Sequence, residues 1–124
     1  MDWNVFLADA NRNLSEYRQM EPEVAKGFGA LSQAAMADGA LGLRQKELMC
    51  IAIGIAKQCN DCIGFHIKAA IRAGVTREEV AETISVAMYM GGGPSFMYGA
   101  RALEAYDQMS GKGAVRRPEG SGPS

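Results

Sequence analysis

The stretch "LMCIAIGIA", residues 48–56, limits the fold more than any other part of this chain. It is nine residues long and apolar at every position. A helix that is apolar all round must be surrounded by other helices rather than lie on a surface. It is also too short to cross a bilayer, which takes about 20 apolar residues. Strand-like alternation of apolar and polar residues is absent along the chain, whereas helix punctuation recurs throughout.

Asp2 caps a predicted first helix that runs to about Met20, with Val5, Leu7, Leu14 and Tyr17 as its apolar side. Pro22 suits the first turn of a second helix, where its missing N–H costs nothing. That helix carries Val24, Phe28, Leu31 and Ala35, and "ADGALG" stops it. The third begins near Leu43 and contains the apolar run. After a break at "QCND", a fourth continues to Ala73 and closes on Gly74 in the position favoured by a left-handed cap. Thr76 and Glu79 form a capping box for a fifth helix to about Met90, with Val80, Ile84, Ala87 and Met88 inward. "GGGPS" interrupts, and a last helix spans about Ser95 to Met109. The expected fold is an all-α bundle of about six helices over residues 1–109. Residues 110–124, with few apolar groups to bury, are expected to form a disordered tail.

At 124 residues the chain is the size of one domain. A formal net charge of −1 and a pI near 5.8 give no footing for a nucleic-acid or membrane partner. The opening "MDWNVFLADANRN" lacks the pattern of a signal peptide. Three cysteines, an odd number, then point to a reducing cytoplasm, where a CxxC is more often catalytic or metal-binding than structural.

Two of those cysteines and the only histidine fall within "KQCNDCIGFHIKAA", residues 57–70. A cysteine at a helix start is acidified by the unpaired N–H groups and the positive end of the helix dipole. Cys62 and His66 are i and i+4, hence on one face with Cβ atoms about 5–6 Å apart. An imidazole there can take the Cys62 proton, and Cys59 can close a disulfide. A thioredoxin-type site would need strands, and covalent haem attachment would need CxxCH. Zinc competes, since Cys59, Cys62 and His66 supply three ligands and Cys50, Glu47 or Asp61 a fourth. A satisfied core histidine is the plain alternative for His66. Cys50, inside the apolar run, reads as a small hydrophobe filling the core.

Glu47, eleven residues, Cys59-Asn60-Asp61-Cys62, three residues and His66 together resemble the E-x11-CxxC-x3-H pattern of the AhpD-like alkylhydroperoxidases. These are all-helical proteins of the carboxymuconolactone decarboxylase superfamily. The resemblance covers roughly residues 20–108. It implies that Cys62 is the peroxide-attacking nucleophile, passing through a sulfenic acid, and that Cys59 donates a proton and resolves it as a disulfide. His66 and Glu47 would form the relay that activates the thiol, with no cofactor.

The resemblance also implies a small hydroperoxide substrate, a lipoyl- or thioredoxin-like protein reductant, and assembly as a homotrimer or homohexamer. "AMYMGGGPSFMYGARAL" agrees with assembly, since it crowds Met88, Met90, Phe96, Met97 and Tyr98 around glycines. Glu47 lies about 15 Å back along the third helix and His66 about 10 Å along the fourth, so antiparallel packing, with one water if needed, brings them together. Asp61 stands where the well-studied peroxidases carry a second histidine, and a carboxylate there opposes thiolate formation. Two other readings are a lactone decarboxylase, a branch that lacks this CxxC, and a non-catalytic oligomer that binds zinc or another ligand.

Overall fold

The computed structural model describes residues 1–111; the expected disordered tail lies, from residue 112, outside the described residues. Six helices follow one another: α1 (Trp3–Met20), α2 (Pro22–Met36), α3 (Leu43–Ala56), α4 (Asn60–Arg72), α5 (Arg77–Gly91) and α6 (Gly93–Met109). No strand occurs among the described residues, and none of their helices is long and apolar enough to cross a membrane.

The helix starts follow the expected chemistry. The Asp2 carboxylate accepts from the N–H groups of Asn4 and Val5 at 3.1 and 3.2 Å. Thr76 and Glu79 cap each other reciprocally, with Glu79 N–H to Thr76 Oγ1 at 3.1 Å and Thr76 N–H to Glu79 Oε1 at 2.8 Å. That backbone hydrogen bond, helped by Arg44, holds the Glu79 carboxyl below its ordinary pKa. At α3, the Gln45 side chain accepts from Gly42 N–H at 3.2 Å and Asp38 accepts from Leu43 N–H at 2.7 Å. α5 and α6 are separated by Gly92 alone, whose φ of 79° suits glycine, so α6 starts two residues earlier than Ser95.

α3 is central, packing against α2, α4, α5 and α6. Its Ile51 and Ile55 join Trp3, Ile63, Ile67, Val80, Ala102 and Tyr106 in the core. α6 is tied to the α4–α5 turn and to the start of α5. Tyr106 donates its hydroxyl to the Val75 carbonyl at 2.9 Å, and Arg77 forks onto the Asp107 carboxylate at 2.8 and 3.0 Å.

Four expected faces need correction, one of them only in part. α3 is not enclosed on all sides, because Met49 and Ile53 are exposed. α1 buries Trp3, Leu7 and Ala10, whereas Val5 points away from that stripe. Leu14 and Tyr17 continue the same stripe by the 100° step of a helix, yet both are exposed. α2 buries no residue at all: Val24, Phe28 and Leu31, 55–70% exposed, face outward as an apolar surface. α5 matches in part, with Val80 and Ala87 buried and Ile84 packed against the core, but Met88 is exposed.

Candidate active site

The step from α3 to α4 leaves no slack. α3 ends with Lys57 as its C-cap, and Gln58 follows at φ 56°, the left-handed conformation. Gln58 N–H then bonds the Ile55 carbonyl at 3.0 Å and Cys59 N–H bonds the Gly54 carbonyl at 3.0 Å, closing a double-bonded helix cap. Cys59 is at the same time the N-cap of α4. Its sulfur accepts the Cys62 N–H at 3.1 Å, the bond that Ser or Asp usually makes there. One residue therefore ends one helix and starts the next, with its sulfur at the positive pole of α4.

Cys59 and Cys62 are joined in a disulfide. α3 approaches this turn closely at Gly54, where a Cβ would stand 3.1 Å from the Cys62 Cβ. Asn60, next to Cys59, accepts from Arg101 of α6 at 3.2 Å, and that guanidinium stacks on Tyr98 at 4.3 Å. Asp61 occupies the first turn of α4, exposed, where a negative charge complements the helix dipole.

The antiparallel packing of α3 on α4 brings Glu47 and His66 together without a bridging water: His66 Nδ1 is 2.8 Å from Glu47 Oε1. Glu47 is buried and the His66 side chain is 36% exposed. Against a carboxylate, which accepts, Nδ1 carries the proton and donates it, leaving the Nε2 lone pair free. The residues singled out in sequence, Glu47, Cys59, Cys62 and His66, thus lie on facing stretches of two helices.

Cys50 is not the core filler that its apolar neighbours imply. It is half-buried, with its sulfur 3.8 Å from Met36 Sδ. A donor atom each from Glu47, Cys50 and His66 lie within 4.8 Å of one another. Burial first, and the Glu47 charge second, push the Cys50 thiol pKa up. The expected zinc set also changes, because the Cys59 and Cys62 sulfurs are bonded to each other. Gly54 and Gln58 also escaped the sequence reading. A glycine inside an apolar run is a sign of close backbone approach; a left-handed glutamine carries no comparable sign.

The sequence profile of the carboxymuconolactone decarboxylase family matches residues 22–105. An uncharacterized protein of Cupriavidus necator is 36% identical over 109 residues, 88% of this chain and 96% of its own. An uncharacterized protein from the cox locus of Paracoccus denitrificans is 34% identical, covering 87% and 97%. A crystal structure of a carboxymuconolactone decarboxylase family protein from Legionella pneumophila superposes with a TM-score of 0.85 at 46% identity, over 87% of this chain and 96% of that one. One from Thermotoga maritima, for which involvement in an antioxidative response has been suggested, gives 0.76 at 26%, over 88% and 93%.

Proposed function

Because the chain belongs to the carboxymuconolactone decarboxylase family, we propose that it is a CxxC thiol peroxidase and disulfide oxidoreductase of the AhpD-like type. The observation that carries this reading is the Cys59–Cys62 disulfide at the start of α4, one turn from a histidine already paired with a buried carboxylate. In the reduced enzyme, His66 Nε2 accepts the Cys62 proton while Glu47 holds the ring and stabilises the imidazolium. The Cys62 thiolate attacks a hydroperoxide: an S–O bond forms, the O–O bond breaks, and the departing alkoxide takes the proton from the imidazolium. Cys62 is now a sulfenic acid. Cys59 attacks that sulfur, the S–S bond forms, and the hydroxyl leaves with the Cys59 proton as water. A dithiol reductant, a lipoyl- or thioredoxin-like protein, returns two electrons and two protons and leaves as its own disulfide.

The rigid step into α4 favours this cycle, since Cys59 is placed by backbone bonds whether or not its sulfur is bonded. Peroxide consumption with a dithiol reductant tests the proposal. Cys62→Ser is expected to abolish turnover, and His66→Ala to slow attack on the order of 10²-fold. Cys59→Ser should trap a single oxidation on Cys62, visible by mass spectrometry. A sulfenic acid on Cys59 in the Cys62→Ser protein, with none on Cys62 in the other, would reverse the two roles. A wild-type chain that neither consumes peroxide nor exchanges disulfides would end the proposal.

A further inference from the structure

The redox cycle leaves one of the three cysteines without a part, and that cysteine lies beside the relay. We propose that Glu47, Cys50 and His66 form a three-ligand site for a thiophilic divalent cation, zinc above all, distinct from the CxxC. The donors are a thiol sulfur, an imidazole nitrogen and a carboxylate oxygen, the set from which three-ligand zinc sites with an open fourth position are built. A sulfur ligand disfavours magnesium and calcium, which prefer all-oxygen shells.

The geometry is near what zinc requires. Tetrahedral ligands of these types stand about 3.3–3.8 Å apart. The three donors here all lie within 4.8 Å of one another, and the Glu47–His66 pair is already at 2.8 Å. Glu47 and Cys50 are i and i+3 on α3, and His66 faces them from α4, so the frame is two packed helices rather than a loop. Nearly all of Glu47 is buried, whereas Cys50 and His66 are half-buried, which leaves a side open for an ion to enter.

The cluster also exists while Cys59 and Cys62 are bonded to each other, so it requires neither of their sulfurs. On binding, zinc displaces the proton of the Cys50 thiol, which goes to solvent, and the Cys50 sulfur becomes a thiolate ligand; zinc also takes the place of the proton on His66 Nδ1, and the ring carries its proton on Nε2 instead. No electrons move. A consequence, which rests on the redox reading above, is that a metal-bound His66 cannot take the Cys62 proton, so zinc would arrest turnover reversibly.

The test uses the full chain with the Cys59–Cys62 disulfide intact, titrated with cobalt(II) as a spectroscopic stand-in and with zinc. The expected result is one equivalent of cobalt bound, with a sulfur-to-metal charge-transfer band and the intense visible bands of four-coordinate cobalt. Cys50→Ser and Cys50→Ala should each remove the charge-transfer band and weaken binding at least about 10-fold, by analogy with the loss from even outer partners of a metal ligand. In the wild-type chain, zinc should protect Cys50 from iodoacetamide, a readout that needs no variant. The proposal fails if the oxidised protein shows neither band nor protection, or if the band survives both substitutions. It fails equally if the band appears only after reduction and disappears in Cys59→Ser, which would put the ion on the CxxC. Peroxide turnover plays no part in these readouts. An active peroxidase without the band refutes the metal site alone, and the band in a chain without peroxidase activity refutes the redox reading alone.

Discussion

Gln58 adopts a conformation that an L-residue with a Cβ rarely takes, at φ 56°, because only a left-handed residue lets the cap bonds form. Left-handed backbone costs roughly 1–2 kcal/mol in a non-glycine residue, against about 0.5–1 kcal/mol of extra chain entropy lost by glycine. Gln58→Gly should therefore stabilise the fold by about 0.5–1 kcal/mol, read as a higher denaturation midpoint at unchanged slope. A lower midpoint would mean that the glutamine side chain contributes more than its backbone costs. At this scale the sequence was legible where spacing carried the information. Glu47 and His66, nineteen positions apart, are paired by their motif and meet at 2.8 Å. Cys50 was misread because an apolar neighbourhood in sequence says nothing about which side of the helix a given residue occupies, and its side looks toward Met36, Glu47 and His66.

Docking of α1 on α4 depends on one missing methyl group. A Cβ at Gly64 would stand 2.7 Å from Leu7 Cδ2 and 3.0–3.1 Å from the Trp3 ring. The ring has little room to retreat: Trp3 is fully buried, edge-on to Phe6, and its Nε1 donates to Glu104 at 2.8 Å. Overpacking costs typically 1–3 kcal/mol, more than the roughly 1 kcal/mol of helix propensity that alanine brings. Gly64→Ala should destabilise by about 1–2 kcal/mol and weaken Trp3 burial, seen as a red-shifted indole emission. Unchanged emission and stability would mean that α1 can shift outward freely. Helix existence and order could be read from Asp2, Pro22, Gly74 and the Thr76–Glu79 box, since these act locally. Helix faces could not. An apolar stripe has the same period whether it meets its own core or stays exposed on one chain, as Phe28 and Leu31 do.

The exposed apolar surface of the whole molecule is extensive. α2 offers Val24, Phe28 and Leu31, and the α5–α6 corner offers Tyr89, Met90, Phe96 and Met97, all more than half exposed. Large exposed apolar patches mark contact surfaces. We expect a homotrimer or homohexamer; of the corner read from the sequence Met90, Phe96 and Met97 are well exposed, whereas Tyr98 packs against the core under Arg101, and an α2 face joins them. Light scattering on the wild-type chain, beside Phe28→Asp, checks this: the substitution should lower the assembled mass without unfolding the bundle. A wild-type monomer at micromolar concentration would refute it. The hold of a single chain on α2 is slight. Apart from Ala25 and Met36 its residues are exposed, and Lys46 grips its end by donating to the carbonyls of Ala35 and Ala37 at 2.9 and 2.5 Å. Met36 is also the residue that shades Cys50. If neighbouring copies clamp α2, they hold Met36 over that thiol and dilution uncovers it, so the labelling rate of Cys50 would then gauge how crowded the protein is with itself.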